Sequence, residues 1–182
     1  MSREIPILFR DELVRAILAD EKDLTRRVGP SWARAKAGDK LWVRETFALP
    51  AKADAESPSA AGEFALAVGY PNPWSPTWYR ADGHYNNAVT RSDATYDWGG
   101  RGRWRPGIHM PRWACRLVLE VESVTEQRTH VPRVRQLMLP DLSDAEAWRE
   151  GVADRAAFLE LWAKLHPNYV GPVYRVQFRR VA

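Results

Sequence analysis

Apolar residues recur at helical spacing through Leu13, Val14, Ile17 and Leu18, which predicts an amphipathic helix near the start of the chain. Asp11 and Glu12 supply the acidic first turn that the helix dipole favours, and Lys22 falls just past the helix end. From Lys40 to Phe47 the period changes to two. In that strand Leu41, Val43 and Glu45 share one face, and Trp42, Arg44 and Thr46 share the other. A carboxylate on the inward face needs a partner, so Glu45 is either paired with an arginine such as Arg27 or aimed into a pocket. Cys115 to Glu122 and Val173 to Val181 read as further strands. Ser143-Asp144-Ala145-Glu146 is a capping box opening a short helix that Gly151 ends. Asp154 caps another helix, with Ala157, Phe158, Leu161, Trp162 and Leu165 as its buried stripe, until His166-Pro167-Asn168 stops it.

The stretches between these elements are poorer in pattern. From about residue 49 to 77 the chain turns to Ala, Pro, Ser and Gly, which reads as a mobile surface insertion. Trp78 to Ala81 returns to strand character, and His84 to Arg105 is turn-rich, with Gly99-Gly100-Arg101-Gly102 as a lid or rim. Trp104 to Trp113 is an ordered loop leading into the strand at Cys115. Several strands with three helices around them predict an α+β fold whose sheet curls into a small barrel. At 182 residues without an internal repeat, one domain spanning 1–182 is expected.

Composition narrows the chemistry. Cys115 is the only cysteine, and in a strand it reads as a buried, inert thiol; there is no disulfide framework and no thiolate metal site. His84, His109, His130 and His166 show no ligand spacing, so neither a metal nor a cofactor is expected. Neither a leader-like n-region nor a membrane-length apolar run is present, so the expectation is a soluble, cytoplasmic protein. The formal charge of +4 combines 22 Arg with only 5 Lys. Arg suits planar, bidentate contact with phosphate and stacking on bases. Arg101, Arg103, Trp104 and Arg105 interleave the two groups as a nucleotide or single-strand site would, although Trp also fills cores and Arg is common in proteins of GC-rich genomes. The net charge is too modest for wrapping duplex DNA.

The densest candidate chemistry is Lys22-Asp23-Leu24-Thr25-Arg26-Arg27. A lysine past a helix end is ordinarily a solvated charge facing the last carbonyls, and a lone threonine is unremarkable. Together they suggest more, because a hydroxyl needs a neighbouring base, and an amine becomes one only when its pKa is lowered. Arg26, Arg27 and burial push that pKa down while the helix C-terminus pushes it up, so the sign stays open at this level. Glu150, at the end of the capping-box helix, faces the negative end of the dipole and is expected to titrate high, as a proton donor would; the ordinary alternative is an exposed last-turn glutamate.

The run Ile17 to Arg27 followed by Gly38-Asp39-Lys40-Leu41-Trp42-Val43-Arg44-Glu45 resembles the ASCH superfamily, relatives of the PUA RNA-binding domains, and most closely its phage and prophage branch. Tyr79-Arg80-Ala81-Asp82-Gly83, Trp104 to Ala114, Glu150-Gly151 and Tyr174 to Arg180 agree with it, so the resemblance covers nearly the whole chain outside about 49–77. Where the family usually reads Gly, a basic residue, Lys and Thr, this chain has Asp20-Glu21-Lys22-Asp23. The resemblance implies a PUA-like barrel with a cleft, and an amidohydrolase removing the acyl group from N4-acetylcytidine. Lys22, Thr25 and Glu150 occupy the catalytic positions, and Arg27, Glu45, Tyr79, Trp104 and His109 the substrate-binding set. The implied partner is a modified cytidine nucleoside or RNA. The same family also accommodates an RNA-binding module, a phage accessory protein, or a ribonuclease in which Lys22 and Arg27 stabilise a phosphorane. The sequence leaves the oligomeric state open.

Overall fold

The computed structural model describes residues 2–86, 97–128, 142–167, 169 and 171–181; His130 and Asn168, named above, lie outside them. In chain order the elements are β1 (Glu4–Leu8), α1 (Asp11–Leu18), β2 (Leu24–Val28), β3 (Lys40–Arg44), β4 (Phe47–Pro50), α2 (Pro58–Ala67), β5 (Thr77–Tyr79), β6 (Tyr85–Asn86), β7 (Arg101–Arg105), β8 (Val118–Arg128), α3 (Asp144–Arg149), α4 (Arg155–Leu165) and β9 (Pro172–Arg180). The protein is mixed α/β. Among the described residues the strands form two sheets, one of five strands in the order β1-β3-β8-β9-β2 and one of four in the order β6-β5-β4-β7. The chain divides into two compact units, residues 1–5, 16–41 and 118–182, and residues 6–15 and 42–117. No described helix is long and apolar enough to cross a membrane.

The first unit is built on the antiparallel ladder of β8 and β9, paired from Leu119↔Arg180 to Arg128↔Pro172 with a register shift between Val121 and Ser123. β2 adds to the far side of β9 as an edge strand, with Thr25 opposite Val176 and Arg26 opposite Arg175. Ser143 caps α3 by accepting the N–H of Glu146, and Asp154 caps α4 by accepting that of Ala157, as the sequence pattern predicts. Phe158 and Trp162 of α4 pack with Leu142, Ala147 and Val173. At roughly 1.5–3 kcal/mol for each buried large side chain, this packing far outweighs the few tenths available from the exposed Lys164–Glu160 pair on the same helix. Leu165, expected in the buried stripe, is instead 53% exposed at the last helical position, and Leu159 packs against the core.

In the second unit, Phe47 lies opposite Tyr79 on one side and Arg105 on the other. Phe47, Leu49, Ala53, Ala61, Tyr79, Met110 and Ala114 form its core. Residues 49–77, expected as a surface insertion, therefore supply three of these side chains and all of α2. The composition misleads because α2 packs through small residues: a Cβ on Gly62 would lie 2.4 Å from Nε1 of Trp113, so only glycine lets that indole seat against the helix. The inward–outward alternation of residues 41–46 is as expected, with Leu41, Val43 and Glu45 buried, but pairing breaks after Arg44 and resumes at Phe47. The strand expected from Cys115 begins at Val118, since Cys115 closes a 3-10 turn by donating its N–H to Arg112. Its half-buried thiol donates to the Leu117 carbonyl, and burial raises its pKa, so the inert reading of this thiol fits.

Candidate functional site

The site in the first unit starts from how α1 ends. Asp20 adopts φ +58°, the left-handed conformation that glycine most often supplies and that Asp tolerates better than most residues. Around it the N–H of Asp20 donates to Ile17, and those of Glu21 and Lys22 both donate to Ala16. This is a helix C-cap of the left-handed kind, formed without the glycine that the resembled family carries there. Arg180 reinforces it by donating to the Leu18 carbonyl and to the Asp20 carboxylate. Asp23 is held in turn by a two-pronged contact from Arg149, 2.8 Å to each oxygen. The two unusual aspartates thus each face an arginine.

The turn delivers Lys22 to the free edge of β2, where it is 3% exposed. An edge strand leaves half its backbone groups without a ladder partner. Here the Leu24 carbonyl accepts from the Lys22 ammonium at 2.5 Å, and the Arg26 N–H donates to Oε2 of Glu150 at 3.0 Å. Lys22 also donates to the backbone carbonyl of Glu150 at 2.6 Å. Glu150, 6% exposed, reaches this edge because it is the C-cap residue of α3, with Gly151 at φ +79° turning the chain away. Thr25 lies between the two anchored backbone groups and is 4% exposed; among the described residues its hydroxyl makes no hydrogen bond. Strand alternation puts Thr25 and Arg27 on one face of β2 and Leu24, Arg26 and Val28 on the other.

Burial lowers the Lys22 pKa to about 7; Glu150 and Asp23 oppose the drop, and Arg27 and Arg26 add to it. Desolvation is the largest cause of the drop, and the amine donates to the neutral carbonyls of Leu24 and Glu150. In its neutral form two N–H bonds serve those carbonyls, and the nitrogen lone pair is the position that takes a proton. Burial likewise lowers the Arg27 pKa, against the pull of Glu150.

Arg26, expected from the sequence only to push the Lys22 pKa down, holds the site together. Its guanidinium donates to Oε1 of Glu150 at 2.5 Å, to Oε2 of Glu146 and, through Nε, to Gln127 at 3.0 Å. Arg175 stands directly opposite on β9, a like-charge cross-strand pair that would repel. Glu146 resolves it by giving its other oxygen to Arg175, at 2.6 and 2.9 Å. Burial alone would raise the Glu146 pKa, but Arg175 and Arg26 hold it below the usual carboxylate value. Glu146 was visible only as the capping-box glutamate, and its side chain serves the arginines instead of the helix N-terminus. Both Glu150 oxygens accept from Arg26, and at 6% exposure Glu150 is not the exposed last-turn glutamate of the ordinary alternative.

The remaining site residues lie in the second unit. Glu45 pairs with Arg116 and not with Arg27: two parallel 2.9 Å bonds join the side chains, and Arg116 also grips Asp82 at 2.8 and 2.9 Å. Burial raises the Glu45 pKa against the pull of Arg116. Tyr79 is a core residue, 1% exposed, donating its hydroxyl to Ala114 and lying under the Arg116 guanidinium, so its ring is closed to stacking on a base. Trp104 is half-buried on β7 with Arg101 4.5 Å over its ring, and His109 is exposed. Among the described residues no three His, Cys, Asp or Glu side chains group as metal ligands. No family model, curated protein or solved structure matches this chain.

Proposed function

We propose that the protein is an amidohydrolase that removes the acyl group from the exocyclic nitrogen of an N4-acylated cytidine, on a PUA-like scaffold of the ASCH type. The observation that carries this reading is Lys22, buried with its amine between two carbonyls and its pKa brought to about 7. A lysine half neutral at neutral pH is a base, and Thr25 is the hydroxyl three residues away.

Neutral Lys22 takes the Thr25 proton as Oγ1 attacks the amide carbonyl. Arg27 offsets the negative charge of the tetrahedral intermediate. Collapse breaks the carbon–nitrogen bond, and the departing cytosine nitrogen takes back the proton now on Lys22. With both Glu150 oxygens engaged as acceptors, the donor role passes to Lys22, and Glu150 fits the second half-reaction: it gives up one Arg26 contact to take a proton from the water that cleaves the Thr25 ester, and returns that proton to Oγ1 of Thr25 as the ester bond breaks. The products are cytidine and the free carboxylic acid.

The test is incubation of the purified protein with N4-acetylcytidine at several salt concentrations, followed by chromatography. Cytidine and acetate should form at a rate that barely responds to salt, since a neutral nucleoside releases no counterions on binding. A folded protein that turns over neither N4-acetylcytidine nor other N4-acylcytidines would sink the proposal. Cleavage of RNA that weakens steeply with salt would favour the ribonuclease reading.

A further inference from the structure

The four-stranded sheet of the second unit carries a second feature that the acyl-transfer reading does not use. Directly opposed residues of an antiparallel pair project to the same side. The registers Tyr85↔Trp78, Trp78↔Ala48 and Ala48↔Trp104 therefore set four side chains in one line across β6, β5, β4 and β7. The adjacent line, Phe47 with Tyr79 and Arg105, is buried, so the two lines occupy opposite faces. On the aromatic line only Ala48 is fully buried; Trp78 and Trp104 are half-buried and Tyr85 is 40% exposed.

The rings are already arranged for stacking. Trp78 and Tyr85 lie 4.4 Å apart with an 18° interplanar angle. The bulge between Ala48 and Pro50 places Arg101 opposite Pro50, on the side of Trp104, where its guanidinium lies 4.5 Å over the indole. Arg101 and Arg103 are both exposed, and among the described residues neither guanidinium has a carboxylate partner. The nearby acids are otherwise engaged: Asp54 accepts the Arg103 backbone N–H and stands 3.6 Å from Arg105, and Asp97 pairs with Lys52.

We propose that this face binds single-stranded nucleic acid, with bases stacking on Trp104, Trp78 and Tyr85 and phosphates meeting Arg101 and Arg103. Flat aromatic faces accept any base, and exposed guanidiniums supply the charge complementarity to a polyanion. A duplex hides its base faces in its own stack, so it cannot use the row.

The full-length protein is titrated into labelled single-stranded RNA and DNA oligonucleotides of about ten residues. Binding should quench tryptophan fluorescence and exceed that of a duplex of equal length. Trp104→Ala should weaken it about tenfold or more, with much of the loss restored in Trp104→Phe. Arg101→Ala should reduce the slope of log affinity against log salt by about one. Tyr85→Ala and Arg101→Ala change exposed side chains, so they serve as the test if the tryptophan variant does not fold. No binding by folded wild-type protein, unchanged binding in both Trp104→Ala and Tyr85→Ala, or tighter binding of the duplex would overturn the proposal. Binding is read without turnover, so it stands or falls apart from the amidohydrolase reading.

Discussion

Each unit buries a cluster of arginine and glutamate, and the two clusters handle charge differently. In the second, Arg116 is matched by Glu45 and Asp82, whose hydrogen bonds raise its pKa even though burial works the other way. Every charge there has an opposite charge in contact, as a structural ion pair requires. In the first, Arg26 and Arg175 consume Glu146, and Arg26 also takes the Glu150 carboxylate. Lys22 donates to the Leu24 and Glu150 carbonyls, and burial brings its pKa to about 7. A buried cation gripped by carboxylates stays charged; one whose desolvation outweighs the pull of nearby carboxylates becomes a base.

The largest effect that would sharpen this contrast is on turnover. Thr25→Ala should lower kcat on N4-acetylcytidine by roughly a thousandfold or more while the circular dichroism spectrum is kept. A kcat close to wild type would remove Thr25 as nucleophile. Next, Arg116→Met should cost about 3–5 kcal/mol in chemical denaturation, because it leaves a buried carboxylate without its counter-charge; a loss below about 1 kcal/mol would mean that the second cluster is not structural.

A smaller effect, on the order of a few kcal/mol, is expected in the pH dependence of stability. The folded pKa of Lys22 is about 7, below the ordinary lysine value. Between those values the unfolded chain binds more protons than the folded one, so stability rises with pH across that window and is flat in this term below it. Lys22→Met should flatten the rise; identical pH profiles for the two proteins would contradict the shift. The smallest effect is at the α1 cap, where Asp20→Gly should stabilise by about 0.5–1 kcal/mol in thermal or chemical denaturation, through relief of the left-handed backbone. The same substitution removes the ion pair between Asp20 and Arg180, which is solvent-exposed and adds little.

Periodic elements were legible from sequence because one residue pattern decides each of them: the 3.6 period of α1, the alternation from Leu41 to Thr46, and the caps Ser143 and Asp154. α2 was not, since its packing depends on Gly62 admitting Trp113, a meeting of distant segments with no local signal. The site was legible in part. Lys22 and Glu150 meet, but the grip of Arg26 on Glu150 was not legible. That contact rests on which edge of β2 is left open by the strand order, and a single strand's sequence does not carry it. The partner of Glu45 was hidden for the same reason, because Arg116 lies 71 residues away.

The contrast between the two clusters is tested most directly by titrating Lys22 itself, through NMR detection of its side-chain nitrogen and adjacent carbon, with Lys22→Arg used for assignment. An inflection near pH 7 is the expected result. An inflection near the ordinary lysine value of about 10.4 would mean that Lys22 stays charged, and the first cluster would then be a structural ion pair like the second.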